Sequence, residues 1–252
     1  MDKLKVLDLF SGIGGFSLGL DRSGGFETVA FCEIEKFPQK VLKKHWPDVP
    51  IYEDVRELTN ERLIANGITV DVITGGFPCQ DLSVAGNQGG INAERSGLWS
   101  EIIRLASEIR PKYIIVENVA NLLSGPAEKR GAWFGRVLSD LAQCGYDAEW
   151  QNIPAASLGA PHLRERVWIV AYPTQERPIG GFQVLRQERL QRELRRIFRK
   201  DGIFGKHNPR VSYVDDGFPN GLDGHYAAGN SVIPEIPELI GNLILQQEKN
   251  HG

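Results

Sequence analysis

Short unbroken apolar runs alternate with stretches in which apolar residues recur at helical spacing, from the first residues onward. The run "KLKVLDLF" reads as a buried strand, and "SGIGGFSLGLDRSG" as a glycine loop running into a helix that ends at Gly24 and Gly25. The pairing continues with "TVAFCEI" as strand and "FPQKVLKKHW" as helix, then "VDVITGG" as strand and "GLWSEIIRLASEIRP" as a helix stopped at Pro111. After the strand "KYIIVENV", Phe134, Val137, Leu138 and Leu141 share a helical face in "AWFGRVLSDLAQCG", and "YDAEWQNI" and "RVWIVAYP" follow as strands. Such alternation predicts an α/β, Rossmann-like fold: a largely parallel sheet with helices on both faces.

The pattern breaks after Pro173, and apolar helix returns only in the closing "GNSVIPEIPELIGNLILQQ". With 252 residues the chain can bury a full core as one large domain, so the stretch between reads as an insertion. Its composition sets it apart. Residues 177–210 hold ten Arg or Lys against three acids, a local +7 in a chain of net charge -3, which leaves -10 elsewhere. On a helix through "QERLQRELRRIFRK", Leu190, Leu194, Ile197 and Phe198 share one face, while Arg189, Arg192, Arg196 and Arg199 share the opposite one. Such a row suits phosphates and equally suits a solvated face; the phosphate reading is preferred because no other basic surface is evident.

Cys32, Cys79 and Cys144 form no C-x-x-C and no cluster with zinc spacing, so neither a structural metal nor disulfide staples are expected. The apolar run near the amino end is too short for a signal segment and no later run approaches a membrane span, which predicts a soluble, cytoplasmic protein.

Candidate chemistry gathers where strands end. In "DLFSGIGG" the glycines at 12, 14 and 15 match a pyrophosphate fingerprint only in part; a tight turn, or a site for a nucleoside bearing an amino-acid carboxylate, fits as well. Glu33 ends the second strand about 20 residues on, where an acid can accept from both ribose hydroxyls. Asp54 follows a further extended segment and could accept from an adenine amine or simply cap a turn. Cys79, in "GGFPCQDLS", lies just past an apolar strand in a loop opened by Gly75 and Gly76 and stiffened by Pro78, a setting that favours chemistry over an inert thiol. Glu117 closes the next strand, where a buried charge is costly unless used. Arg164 and Arg166 enter a further strand from the same side.

Taken together, "DLFSGIGGF", "GGFPCQDLS", "ENV", "HLRERVWIV" and "GNSVIP", in this order, resemble the C5 cytosine-specific DNA methyltransferase family over all but residues 174–212. The resemblance implies S-adenosylmethionine as cofactor, with Phe10, Gly12 and Gly14 lining its site, Glu33 holding the ribose, Asp54 the adenine amine, and Asn230 and Ser231 closing over it. It implies double-stranded DNA as partner, a flipped-out cytosine as substrate and Cys79 as the nucleophile that adds to its C6. Glu117, expected to be partly protonated through burial, would contact N3 and the amine, with Arg166 on O2 and Arg164 nearby; Pro78, Gln80 and Ser83 belong to the loop that closes over the base. The expected division is a catalytic and cofactor-binding domain at 1–172, a short target-recognition region at 173–212 carrying Arg189, Arg192, Arg196 and Arg199, and a C-terminal return at 213–252. The chain is expected to act as a monomer, and a companion restriction endonuclease is left open.

Two features depart from the family pattern. The recognition segment is short, at about 40 residues, and "GHYAAGNSVIP" lacks a basic residue before its glycine. The alternatives are a tRNA cytosine methyltransferase of the same fold, a DNA-binding homologue impaired by the shortened region, and a nicotinamide oxidoreductase, which would need neither Cys79 nor Glu117.

Overall fold

The computed structural model describes residues 2–77, 97–125, 129–154, 165–175 and 232–251. Among these, β1 (Leu4–Leu9), β2 (Phe26–Cys32), β3 (Ile51–Tyr52), β4 (Val72–Gly75) and β5 (Tyr113–Val119) pair in parallel. A hairpin-like pair, β6 (Tyr146–Pro154) and β7 (Glu165–Pro173), completes a seven-stranded sheet of order β3-β2-β1-β4-β5-β7-β6. The largely parallel, two-faced α/β sheet read from the sequence is therefore observed, with one feature that periodicity does not encode: β7 runs antiparallel to both of its neighbours. That reversal brings the beginning of β7 to the carboxyl end of β5.

The helices are α1 (Gly15–Ser23), α2 (Lys36–His45), α3 (Asn60–Ala65), α4 (Leu98–Ile109), α5 (Ala132–Gln143) and α6 (Glu235–His251). One face of the sheet packs Leu7, Ile73, Val116 and Ile169 against Trp99 and Ile102 of α4 and Val137 of α5. The opposite face packs Val6, Ile115, Trp168 and Val170 against Phe16 and Leu20 of α1 and Ile236, Leu239 and Ile240 of α6. These strands read as near-continuous apolar runs because both of their faces are covered.

A register shift between Val6 and Leu7 inserts one extra residue into β2, so that Val6 pairs with Thr28 and Leu7 with Ala30. A bulge of this kind flips every later side chain to the other face. Phe31 thereby meets Trp46 at the end of α2, with ring centroids 5.4 Å apart, and Glu33, two residues further on, turns toward the loop that follows β1.

The contact between α1 and α6 is close enough to involve backbone. A Cβ placed on Gly19 would lie 2.1 Å from the carbonyl oxygen of Pro234 and 2.9 Å from the amide of Glu238. Gly19→Ala cannot be accommodated by a rotamer change, so it should push α6 outward and destabilise the protein by about 1–3 kcal/mol, the usual cost of overpacking. Denaturant unfolding followed by circular dichroism measures this, and an unchanged midpoint would show that α6 does not dock as described.

Candidate active site

In a sheet of this order the chain leaves β1 toward one edge and β4 toward the other, so a crevice opens outside their carboxyl ends. The residues that reach it come from several strand ends. After β1, Phe10 adopts φ 52°, Gly12 φ 53° and Gly14 φ 86°. The left-handed conformation is natural for the two glycines but costs Phe10 about 1–2 kcal/mol, so the turn is held in place from outside. Ser11 does part of this, its hydroxyl donating to the carbonyl of Asp8 at 2.6 Å and its amide to the carbonyl of Cys32 at 3.2 Å.

Glu33 does the rest. Its Oε2 accepts from the Gly12 amide at 2.7 Å and its Oε1 from the Glu35 amide at 2.8 Å, while its own amide donates to the carbonyl of Tyr52 at 2.9 Å. One buried carboxylate thus ties the ends of β1, β2 and β3 together. Burial pushes its pKa up, opposed by the bonds from the Glu35 and Gly12 amides. A Cβ at Gly12 would meet no described residue within 4 Å, so space is open beside Gly12, whereas one at Gly14 would lie 2.7 Å from Trp46. Ile34, immediately after Glu33, is 62% exposed and offers an apolar surface beside that carboxylate. The sequence reading missed it, because exposure of a single isoleucine leaves no trace in a pattern.

Asp54 caps the turn at Val55–Glu57, its side chain accepting from the Arg56 amide at 2.9 Å. Both the capping role and a ligand role were open from sequence, and the cap is present. The carboxylate is also gripped by the Arg56 guanidinium, and these bonds hold its pKa below the ordinary aspartate value.

Across the crevice, Glu117 and Arg166 meet, with Arg166 Nε 2.8 Å from Glu117 Oε1. The pairing register puts Trp168 opposite Glu117 and Arg166 opposite Val119, so the two charged side chains are diagonal neighbours on one face of β5 and β7. The same carboxylate bounds the backbone leaving β4: a Cβ on Gly76 would sit 3.3 Å from Glu117 Oε2. The next residue, Phe77, is buried, packs on Trp99 at 5.5 Å between ring centroids, and accepts from the Asn118 side chain at 3.5 Å. The stem of the segment that leads to Cys79 is therefore anchored against Glu117.

Cys79, Pro78, Gln80 and Ser83 lie outside the described residues, as do Arg164, Asn230, Ser231 and the arginine row of Arg189, Arg192, Arg196 and Arg199. The two other cysteines, Cys32 and Cys144, are free and buried, and the Cys32 thiol is pushed up to about 12 by burial. One expectation needs correction. The described residues do carry another basic surface, because Lys36, Lys40, Lys43 and Lys44 of α2 are all exposed; the row from 189 to 199 is not preferred by default. Among the described residues no group of His, Cys, Asp or Glu is arranged to hold a metal ion, and no helix is long and apolar enough to cross a membrane.

Beneath the glycine turn, Asp8 is fully buried and accepts from the hydroxyls of Ser17 at 2.8 Å and Thr74 at 2.7 Å, linking β1, α1 and β4.

A mostly parallel sheet with a glycine turn after β1, an acid after β2 and a paired acid and arginine across β5 and β7 is a Rossmann-like α/β arrangement. The model for C-5 cytosine-specific DNA methylases matches residues 4–222. Type II methyltransferase M.Sau3AI of Staphylococcus aureus is 33% identical over 226 residues, covering 85% of this chain and 53% of its own length. M.NgoFVII of Neisseria gonorrhoeae is 35% identical over 96% of this chain and 55% of its own. Among solved structures, a putative DNA modification methyltransferase from an E. coli prophage is 29% identical with a TM-score of 0.56, covering 68% of this chain and 47% of that one. A Spodoptera frugiperda DNMT2 mutant, 24% identical over 69% of this chain and 51% of that one, shares the fold at a TM-score of 0.55. The chain belongs to the C-5 cytosine-specific DNA methylase family. It spans about half the length of the curated relatives it matches.

The Asp8 carboxyl is raised from 3.8 to about 7, chiefly by burial, against the lowering effect of the Thr74 and Ser17 bonds, with the Glu33 charge adding to the rise. Because the folded state holds this proton more tightly than the unfolded state, stability falls as pH rises from about 4 to about 7 and is level above that. Asp8→Asn removes the titration, so its stability relative to the parent should improve across that window by an amount of the order of a few kcal/mol. Unfolding midpoints at pH 5 and pH 8 test this; parallel pH profiles for the two proteins would overturn it.

Proposed function

We propose that the protein transfers a methyl group from S-adenosylmethionine to C5 of a cytosine in double-stranded DNA, in the cytoplasm, through a covalent adduct on Cys79. The observation that carries the reading is the meeting of Glu117 with Arg166 beside Gly76, three residues before Cys79. A carboxylate, a guanidinium and the stem of a cysteine segment then converge next to a nucleoside-type crevice. The likeness to a putative DNA modification methyltransferase of a prophage and the matching family model support DNA over tRNA as substrate. The type II names of the curated relatives are the reason to look for a companion endonuclease.

The residues present fit the cofactor. Open space over Gly12 admits it, Glu33 retains lone pairs toward the ribose, and the Ile34 side chain gives the heterocycle an apolar surface. S-adenosylmethionine supplies a methyl group activated by a sulfonium. Phe10 and Gly14 shape the turn beside it, and Asn230 and Ser231 are the C-terminal residues that would close over it.

Cytosine C5 is a poor nucleophile. The Cys79 thiolate bonds to C6, and the electron pair of the C5–C6 double bond becomes available at C5. Glu117 would contact N3 and the exocyclic amine and stabilise the charge that develops as the adduct forms, while Arg166 would hold O2 with Arg164 nearby. C5 would then be able to accept the activated methyl that the bound cofactor would supply. Loss of the C5 proton to a base then restores the double bond and expels Cys79 as thiolate. The base must leave the duplex to present both C5 and C6, and Pro78, Gln80 and Ser83 lie in the segment that would cover it.

Incubation with labelled cofactor and, side by side, duplex DNA and tRNA tests the reading, and bisulfite mapping locates the product. Cys79→Ala should abolish transfer with cofactor binding retained, and Glu117→Gln should lower the rate far more than DNA affinity. Comparable methylation by Cys79→Ala, or label transferred only to tRNA, would overturn the proposal. Glu33→Ala should weaken cofactor binding by about 1–3 kcal/mol in titration calorimetry, the scale of charge-assisted hydrogen bonds. Unchanged affinity would remove Glu33 from the cofactor site.

A further inference from the structure

We infer that Arg56 is a positioning residue that sets the preference of the cofactor site for the 6-amino group of adenine, acting through Asp54. The inference rests on the proposed cofactor site and adds to it a residue that no pattern singled out.

Asp54 lies two residues beyond Tyr52, whose carbonyl accepts from the Glu33 amide, so it leaves β3 beside the acid assigned to the ribose. Its carboxylate is held on two sides. Oδ1 accepts from the Arg56 amide at 2.9 Å and from Nε at 3.0 Å, and Oδ2 accepts from Nη2 at 2.9 Å. Three bonds from one residue fix both torsions of a side chain that would otherwise rotate at the surface. The alternative cation, Lys36, is engaged by Glu53.

An ion pair this exposed contributes little to folding, and the turn does not need it. Val55 is buried, and Arg104 of α4 donates from Nη2 to the carbonyls of Val55 at 2.9 Å and Leu58 at 2.8 Å, its guanidinium braced by Glu101 and Glu108. The backbone around Arg56 is therefore fastened from the core side. What the guanidinium adds is a fixed orientation for a carboxylate that is ionised at neutral pH in any case and therefore only accepts. A ring carrying an amine at that position donates to it; a ring carrying a carbonyl there meets only repulsion.

The test is titration calorimetry on the cofactor-free protein with S-adenosylhomocysteine and with its inosine counterpart, in which a carbonyl replaces the 6-amine. The parent protein should prefer the adenine compound. Arg56→Ala should weaken adenine binding about tenfold, the scale of one charge-assisted hydrogen bond, and leave inosine binding nearly unchanged, so the preference shrinks. Arg56→Lys should restore part of it. An equal loss for both compounds would mean that Arg56 is only structural, and an unchanged preference would also overturn the inference. Asp54→Asn separates this from the reading beneath it. Preference lost in Asp54→Asn but kept in Arg56→Ala rejects the role of Arg56 alone, whereas preference kept in both rejects the placement of adenine at Asp54.

Discussion

Glu33 accepts backbone hydrogens from two segments that have no other reason to be near one another, the glycine turn after β1 and the start of α2. A turn containing Phe10 and Gly12 at positive φ does not hold itself, and a carboxylate is one of the few groups that can accept from both amides at once. The rest of the site hangs on this bridge. Without it the loop has no fixed path over the crevice, and the open space above Gly12 has no defined shape. The bulge in β2 is what turns Glu33 to that side, so a single inserted residue in a strand decides which backbone amides this acid can reach.

The same face of the sheet carries a line of polar groups that an ordinary core would not tolerate. Asp8 lies beneath the turn with Ser17 and Thr74, and Glu117 and Arg166 lie two and three strands away, in a sheet whose buried positions are otherwise mostly aliphatic and aromatic. Each buried charge costs folding free energy unless it is paired, and the arrangement offsets that cost locally, by hydroxyl donors for Asp8 and a guanidinium for Glu117. The apolar packing of α1, α6, α4 and α5 must cover what remains, and on one face it is so close that Gly19 of α1 has no room for a methyl group beside the start of α6.

Most of the architecture was legible because strands covered on both faces read as unbroken apolar runs and the helices as stripes. β1, β4, β5 and α4 were read to within about two residues for that reason. Direction was not legible: "RVWIVAYP" has the same pattern in either orientation, and only the pairing shows β7 reversed. β3 has two residues and α3 six, too short for periodicity, although Thr59 capping the Arg62 amide is a signal that could have marked the start of α3. At the site, residue types at strand ends pointed to Glu33, Asp54 and Glu117, because acids after apolar runs stand out. Ile34 and Arg56 did not stand out, since an exposed isoleucine and an arginine two residues from an acid are ordinary in sequence and acquire meaning only through position.

The antiparallel β7 also explains how one pocket can combine groups from opposite ends of the chain's local direction. In a wholly parallel sheet every residue at the carboxyl edge comes from a strand's last positions, where the chain is about to leave. Reversing β7 delivers Arg166 from a strand's second position, at the same edge and facing Glu117. The acid is fixed by the strand that precedes it and the arginine by the strand that follows it, so each has a rigid element behind it. A pair held in this way keeps its separation when neighbouring loops move, because neither partner depends on a loop for its position.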